Sequence, residues 1–203
     1  MPKEVIQISL NEFMQFIIKP GYARKRYVEQ VKEARQKDYA SFEDYWKRFR
    51  DGVILLCKGK ISVEDFREMK DDLPDNKRKN YNEAIDGFIT FLGNKKLEWV
   101  SPEKKMTKIS SLRVDVNPEI GFRYRGKVYY SKLFMSSSVS LDRKNADYIL
   151  SVMEHELREK VKEDATFSII DVKNGRKYDY RGIDKYIDAE VEAESFISYW
   201  NKL

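Results

Sequence analysis

Two groups of basic residues have types and spacing that could bind an anion. The first is Lys19-Pro20-Gly21-Tyr22-Ala23-Arg24-Lys25-Arg26, a glycine turn that opens a helix with cations in its first turn. Free N–H groups at a helix N-terminus favour phosphate, and Arg24, Lys25 and Arg26 would add charge to them. The competing reading is a solvated helix face, with Lys25 paired to Glu29 and Glu33 to Lys37 at i,i+4. The second group lies between residues 121 and 132, where Arg123, Arg125, Lys127 and Lys132 alternate with Phe122, Tyr124, Tyr129 and Tyr130 and no acid intervenes. Strand alternation sets Phe122 and Tyr124 on one face and Arg123 and Arg125 on the other. Such a surface could follow a phosphate backbone, with exposed tyrosines stacking on unpaired bases. The bland reading buries the aromatics and solvates the cations, with the acids of the last helix (Asp184, Asp188, Glu190, Glu192, Glu194) neutralising that face.

A third group is acidic. Asp115 and Pro118-Glu119 precede Asp171-Val172-Lys173, which closes the apolar run Phe167-Ser168-Ile169-Ile170. Metal-dependent nucleases of the PD-(D/E)xK type place acids and a lysine on adjacent strands and bind magnesium through hard oxygen ligands. On that reading Asp115, Glu119, Asp171 and Lys173 are catalytic and magnesium is the cofactor. Chance accounts for a three-residue spacing just as well, and a lysine beside a tight turn is ordinarily solvated.

Other chemistries are excluded by counting. With one histidine and one cysteine in 203 residues, neither a four-ligand zinc site nor a two-histidine metalloprotease motif can be assembled. Nor can an intramolecular disulfide form, which fits a reducing compartment. His155 falls opposite the apolar stripe Ala146, Ile149, Leu150, Met153 and Leu157 and is expected in solvent. Cys57 reads as a small core filler. No glycine-rich phosphate loop is present.

The elements that must position these groups follow from periodicity. Ser9-Leu10-Asn11-Glu12 is a capping box before a helix that Lys19-Pro20-Gly21 ends. Helices are predicted from about Tyr22 to Lys37, from a cap at Ser41 through the stripe Phe42, Tyr45, Trp46, Phe49, Val53 and Leu56, briefly after Ser62, and from about Asn76 to Leu92. Gly87 weakens the last of these slightly. Beyond Leu97 the pattern changes to strands. Ile109 to Val116 reads as one strand, and Ile120–Tyr124 with Lys127–Met135 as a hairpin about Arg125-Gly126. After a Ser136-Ser137-Ser138 loop, Ser140 caps a helix from Leu141 to about Lys162. Thr166–Lys173 and Arg176–Tyr180 read as a hairpin about Asn174-Gly175, and a last helix runs from Ile183 to Trp200.

The expected fold is α+β: a helical region 1–96 and an α+β region 97–203 whose mostly antiparallel sheet is flanked by two helices. One continuous core is an equal alternative. A hydrophobic share of 41% and an aromatic share of 13% exclude a disordered chain. No run is long and apolar enough for a membrane span, and no secretory signal opens the chain, so a cytoplasmic location is expected. The formal charge of +5 is divided almost evenly between the halves and is compatible with nucleic acid. The favoured expectation is a non-catalytic protein that meets DNA or RNA through Arg24, Lys25, Arg26, Arg123, Arg125, Lys127 and Lys132, without metal or cofactor. The alternatives are a module that binds another protein or itself, and the magnesium-dependent nuclease.

Overall fold

A computed structural model describes residues 5–36, 45–71, 73–136 and 139–203. A short strand, β1 (Gln7–Ser9), leads directly into α1 (Leu10–Ile18). The capping box is present: the Glu12 N–H donates to Ser9 Oγ at 3.1 Å and the Ser9 N–H to Glu12 Oε2 at 2.7 Å. Four more helices follow, α2 (Gly21–Gln36), α3 (Lys47–Cys57), α4 (Val63–Glu68) and α5 (Asp75–Leu92). Ser62 caps α4 as its position predicts, and Gly93, at φ +48°, ends α5. The cap expected at Ser41, together with Phe42, lies outside the described residues, as do Lys37, Ser137 and Ser138.

The second half holds strands β2 (Glu98–Val100), β3 (Lys105–Ile109), β4 (Leu112–Val116), β5 (Ile120–Tyr124), β6 (Lys127–Phe134), β7 (Thr166–Asp171) and β8 (Arg176–Asp179), with α6 (Arg143–Leu157) before β7 and α7 (Tyr186–Lys202) last. Two sheets form, both mixed. The smaller has the order β1-β4-β3, with β1 parallel to β4; the larger has the order β2-β5-β6-β7-β8, with β6 parallel to β7 and the other pairs antiparallel. A parallel pair needs a crossover, and α6 supplies it.

Three expectations change. Ile109–Val116 is not one strand: the chain reverses at Ser110-Ser111, with Ser110 at φ +55°, so β3 and β4 form a hairpin. The β7–β8 connection has four residues, Val172–Gly175, rather than two; the Asp171 carboxylate accepts from the Asn174 N–H and Gly175 alone takes a positive φ. The cap of α6 is Asp142, which accepts from the Asn145 N–H at 2.7 Å, in place of Ser140.

Alternation along β6 sends side chains into two cores. Tyr130 and Phe134 join a core built from α1, α6, α7 and the smaller sheet, with Phe13, Phe16, Val114, Ile149, Phe196 and Trp200 at its centre. Leu133 and Met135 join the other, formed by α3, α4 and α5 with Phe49, Phe66, Tyr81, Phe88 and Phe122. Each core draws residues from both sides of the 97–108 segment. Among the described residues no helix is long and apolar enough to cross a membrane.

Gly87 has a structural reason. A Cβ there would stand 1.9 Å from the Val172 carbonyl oxygen and 2.6 Å from that of Lys173, because α5 crosses directly over the β7–β8 loop. Helix propensity alone makes Gly87→Ala a gain of about 1 kcal/mol. The backbone collision makes it a loss of more than about 2 kcal/mol, and the sign of the shift in urea midpoint decides between them.

Candidate nucleic-acid interface

The cations expected to act together are placed differently. Arg24 is committed to the fold. Its Nε donates to the Lys19 carbonyl at 2.7 Å, Nη2 donates to Ile17 O at 3.0 Å, and the guanidinium forms a two-pronged pair with Glu192 at 2.8 and 3.1 Å. It closes the end of α1 and ties it to α7, and little of its charge is left for a ligand. Lys25 and Arg26 are exposed and meet no carboxylate among the described residues.

The β5–β6 turn reverses at Arg125-Gly126, both at positive φ (49° and 78°), as a two-residue turn that matches strand twist requires. Arg123 lies beside Glu98 on β2, but at 3.6 Å and with the two side chains 42% and 77% exposed. Such a pair is worth little in water. Arg125 and Lys127 are exposed and have no carboxylate partner among the described residues. Phe122 is buried, while Tyr124 and Tyr129 stand half-buried at the margin of the second core.

Lys132 is not on this surface. It is 2% exposed, because the alternation that turns Tyr130 and Phe134 inward turns it inward too. Its Nζ forms an ion pair with Glu119 and donates to the Asn117 carbonyl at 3.2 Å. The other Glu119 oxygen accepts the Leu133 N–H at 2.6 Å. The pair therefore closes the junction where the chain leaves the smaller sheet for the larger, and it offers nothing to a phosphate outside.

Three cations unforeseen in the sequence rest on rings that belong to or border the second core. Lys58, following α3, lies with Nζ 4.8 Å from the Trp99 ring centroid; Lys95, following α5, lies 4.8 Å from that of Phe91; Lys177 on β8 lies 3.6 Å from that of Tyr129. Arg125 stacks on Tyr124 at 5.2 Å in the same way. Tertiary packing sets each cation on its ring, and no local signal in the sequence marks them. The acids beside them are Glu98 and Asp179, the latter 2.9 Å from Lys177. A ring seats a cation through its quadrupole and leaves the net charge intact, whereas a carboxylate cancels it.

The acidic group is divided. Asp115 accepts from the Asn117 amide at 3.2 Å, and Asn117 in turn accepts from Lys132, which pairs with Glu119. Asp171, 1% exposed, is held by Asn174 and lines a cavity of about 370 Å³ with Phe134, Ser136, Val139 and Ser140. Lys173 lines the same cavity, and its ammonium pairs with Glu83 on α5 at 2.7 Å. An acid and a lysine do meet on adjacent strands, but they are Glu119 and Lys132. The residue two places before that lysine is Tyr130, not an acid. Among the described residues no three His, Cys, Asp or Glu side chains converge as a metal site would require.

His155 is largely exposed and stacks on Tyr186 with ring centroids 3.8 Å apart. Cys57 is buried, and burial pushes its thiol up to about 12, far from a reactive thiolate. No family model and no curated protein matches the chain.

The Lys132–Glu119 pair yields a test of its structural role. Lys132→Met leaves a carboxylate without its cation and is expected to cost roughly 3–5 kcal/mol in urea unfolding. The double change Lys132→Met with Glu119→Gln removes both charges and is expected to recover most of that loss.

Proposed function

We propose that this chain is a non-catalytic nucleic-acid-binding protein that meets phosphate backbones with the β5–β6 turn end of its larger sheet. One observation carries the reading. Four cations from separate segments (Lys58, Lys95, Arg125 and Lys177) rest on aromatic rings, and Arg123 and Lys127 flank Arg125 on the β5–β6 hairpin. Seated cations lose less freedom on meeting phosphate than lysines waving in water, and of the four only Lys177 has a carboxylate partner among the described residues, Asp179. Because they are spread over a hairpin, a strand and two helix ends rather than set on one helix or ribbon shaped for a groove, the contact is to backbone and carries little sequence preference. Lys25 and Arg26 form a second, smaller basic surface on α2.

The reading predicts binding that weakens steeply with salt. With four to five phosphates neutralised, the slope of log K against log salt is about −3 for a single strand. Arg125→Ala and Lys127→Ala are each expected to reduce that slope by about 0.7, without changing sequence preference. No affinity for DNA or RNA at about 50 mM salt overturns the reading, since electrostatic binding is strongest there.

A second reading, metal-assisted phosphodiester cleavage, is favoured by the meeting of Pro118-Glu119 with Lys132 on neighbouring strands. Against it, both Glu119 oxygens are already engaged, and Tyr130 stands where a second carboxylate is needed. Incubation with magnesium and single- or double-stranded DNA and RNA is expected to leave all of them intact. Cleavage that disappears in a folded Glu119→Gln protein would replace the first reading with this one. The protein-interaction reading has less support: the one large aromatic side chain that is exposed among the described residues is Tyr22.

A further inference from the structure

The parallel strands β6 and β7 end side by side at Phe134 and Asp171, and the chain departs from one toward α6 and from the other toward β8. Diverging connections of this kind open a crevice beyond the carboxyl ends of parallel strands, where ligands commonly bind. Here the crevice is the cavity of about 370 Å³, at the small end of the range for ligand sites. Phe134 and Asp171, 2% and 1% exposed, form its floor, while the exposed Ser140, Lys173 and Asn174 stand at its mouth. We propose that this cavity binds a small primary amine, its ammonium on Asp171 and a short alkyl stem against Phe134 and Val139.

The buried charge of Asp171 carries the inference. Its partners are the Asn174 N–H and side-chain amide, at 3.3 and 2.8 Å, and both are neutral. Those bonds make Asp171 the clasp of the β7–β8 loop, a structural role that asparagine could fill without a charge to bury. They leave a carboxylate out of water with no cation, which is costly. Among the described residues none supplies one. Lys173 pairs with Glu83, Arg143 at the start of α6 pairs with Asp147, and Arg176, opposite Asp171 in the β7–β8 register, is exposed and forms no ion pair with it. The positive end of α6 is already capped by the Asp142 carboxylate. The acceptors then select the kind of cation. Asp171 keeps a lone pair on each oxygen, the Asn174 amide oxygen is left as an acceptor once Nδ2 is committed, and Ser140 adds a hydroxyl. An ammonium brings one charge and three N–H donors to that set. Magnesium is a poorer match, because Asp171 is the only acid in the described lining. A neutral polyol would supply donors and leave the charge standing.

Thermal unfolding of the full chain tests this with n-butylamine hydrochloride as the probe, against sodium chloride of equal ionic strength. Butanol has the stem without the charge, tetramethylammonium the charge without N–H donors, and magnesium chloride supplies the metal alternative. At about 50 mM, roughly ten times the millimolar dissociation constant expected of so few contacts, butylamine is expected to raise the melting temperature by about 3–5 °C. Butanol, tetramethylammonium and magnesium are expected to leave it where sodium chloride does. Asp171→Asn is expected to abolish the butylamine shift. Ser140→Trp, at the exposed mouth, blocks entry with the clasp intact and is expected to abolish it too, which keeps the test decisive should Asp171→Asn fail to fold. A shift with magnesium and none with butylamine puts a metal ion in the cavity and overturns the proposal. So does a butylamine shift that survives either substitution, and so does no shift with any probe.

Discussion

A parallel pair of strands at the centre of a sheet must be covered on both faces, and β6 with β7 imposes that constraint here. The connection between them has to leave the sheet, cross one face as α6, and return. The opposite face then needs its own cover, and α5 supplies it, so closely that Gly87 touches the backbone of the β7–β8 loop. Once both faces are closed, polar side chains on the central strands have two destinations. They can be satisfied inside, as Lys132 is by Glu119 and Ser131 by Ser168 at 2.5 Å, or they can stand at the ends of the strands.

This division explains why the charged surface of the second half is an end and not a face. Arg125 and Lys127, at the β5–β6 turn, are exposed, and Arg123 beside them is half-buried. Lys132, further along the same strand as Lys127, is buried. Its charge is withdrawn from water at a cost that only a close carboxylate and additional hydrogen-bond partners offset. Pro118-Glu119 and Asn117 provide them, and in doing so they fix the angle at which the smaller sheet hands the chain to the larger. The feature that looked most like half of a catalytic pair is thus also the hinge pin of the two-sheet arrangement.

Local chemistry was legible in the sequence wherever one short segment decided the outcome. The capping box at Ser9, the cap at Ser62, the Arg125-Gly126 turn and the extent of α5 each follow from a few neighbouring residues. The turn at Ser110-Ser111 was hidden because Ser110 adopts a positive φ without glycine or asparagine to announce it. The parallel partnership of β1 with β4 was hidden because its residues are far apart in the chain, and so short a strand leaves no periodic trace. For the candidate site, alternation correctly separated Phe122 from Arg123. It could not say that β6 is covered on both faces, so Lys132 read as one more member of an exposed row.

The same distinction between local and non-local bears on how the basic end acquires its character. Lys58, Lys95 and Lys177 are ordinary lysines in sequence, and Lys177 does pair with a nearby acid, Asp179. What singles them out is a ring contributed or framed by another element: Trp99 on β2 for Lys58, Tyr129 on β6 for Lys177, and the end of the α5 row for Lys95. Carboxylates at those positions would have held the same cations and left little net field. Rings give a surface in which the cations are held and the field persists out to roughly a Debye length, about 8 Å at physiological salt. Polyanion attraction by such a surface belongs to the proposal above; the aromatic residues that seat its cations are the ones the second core already required.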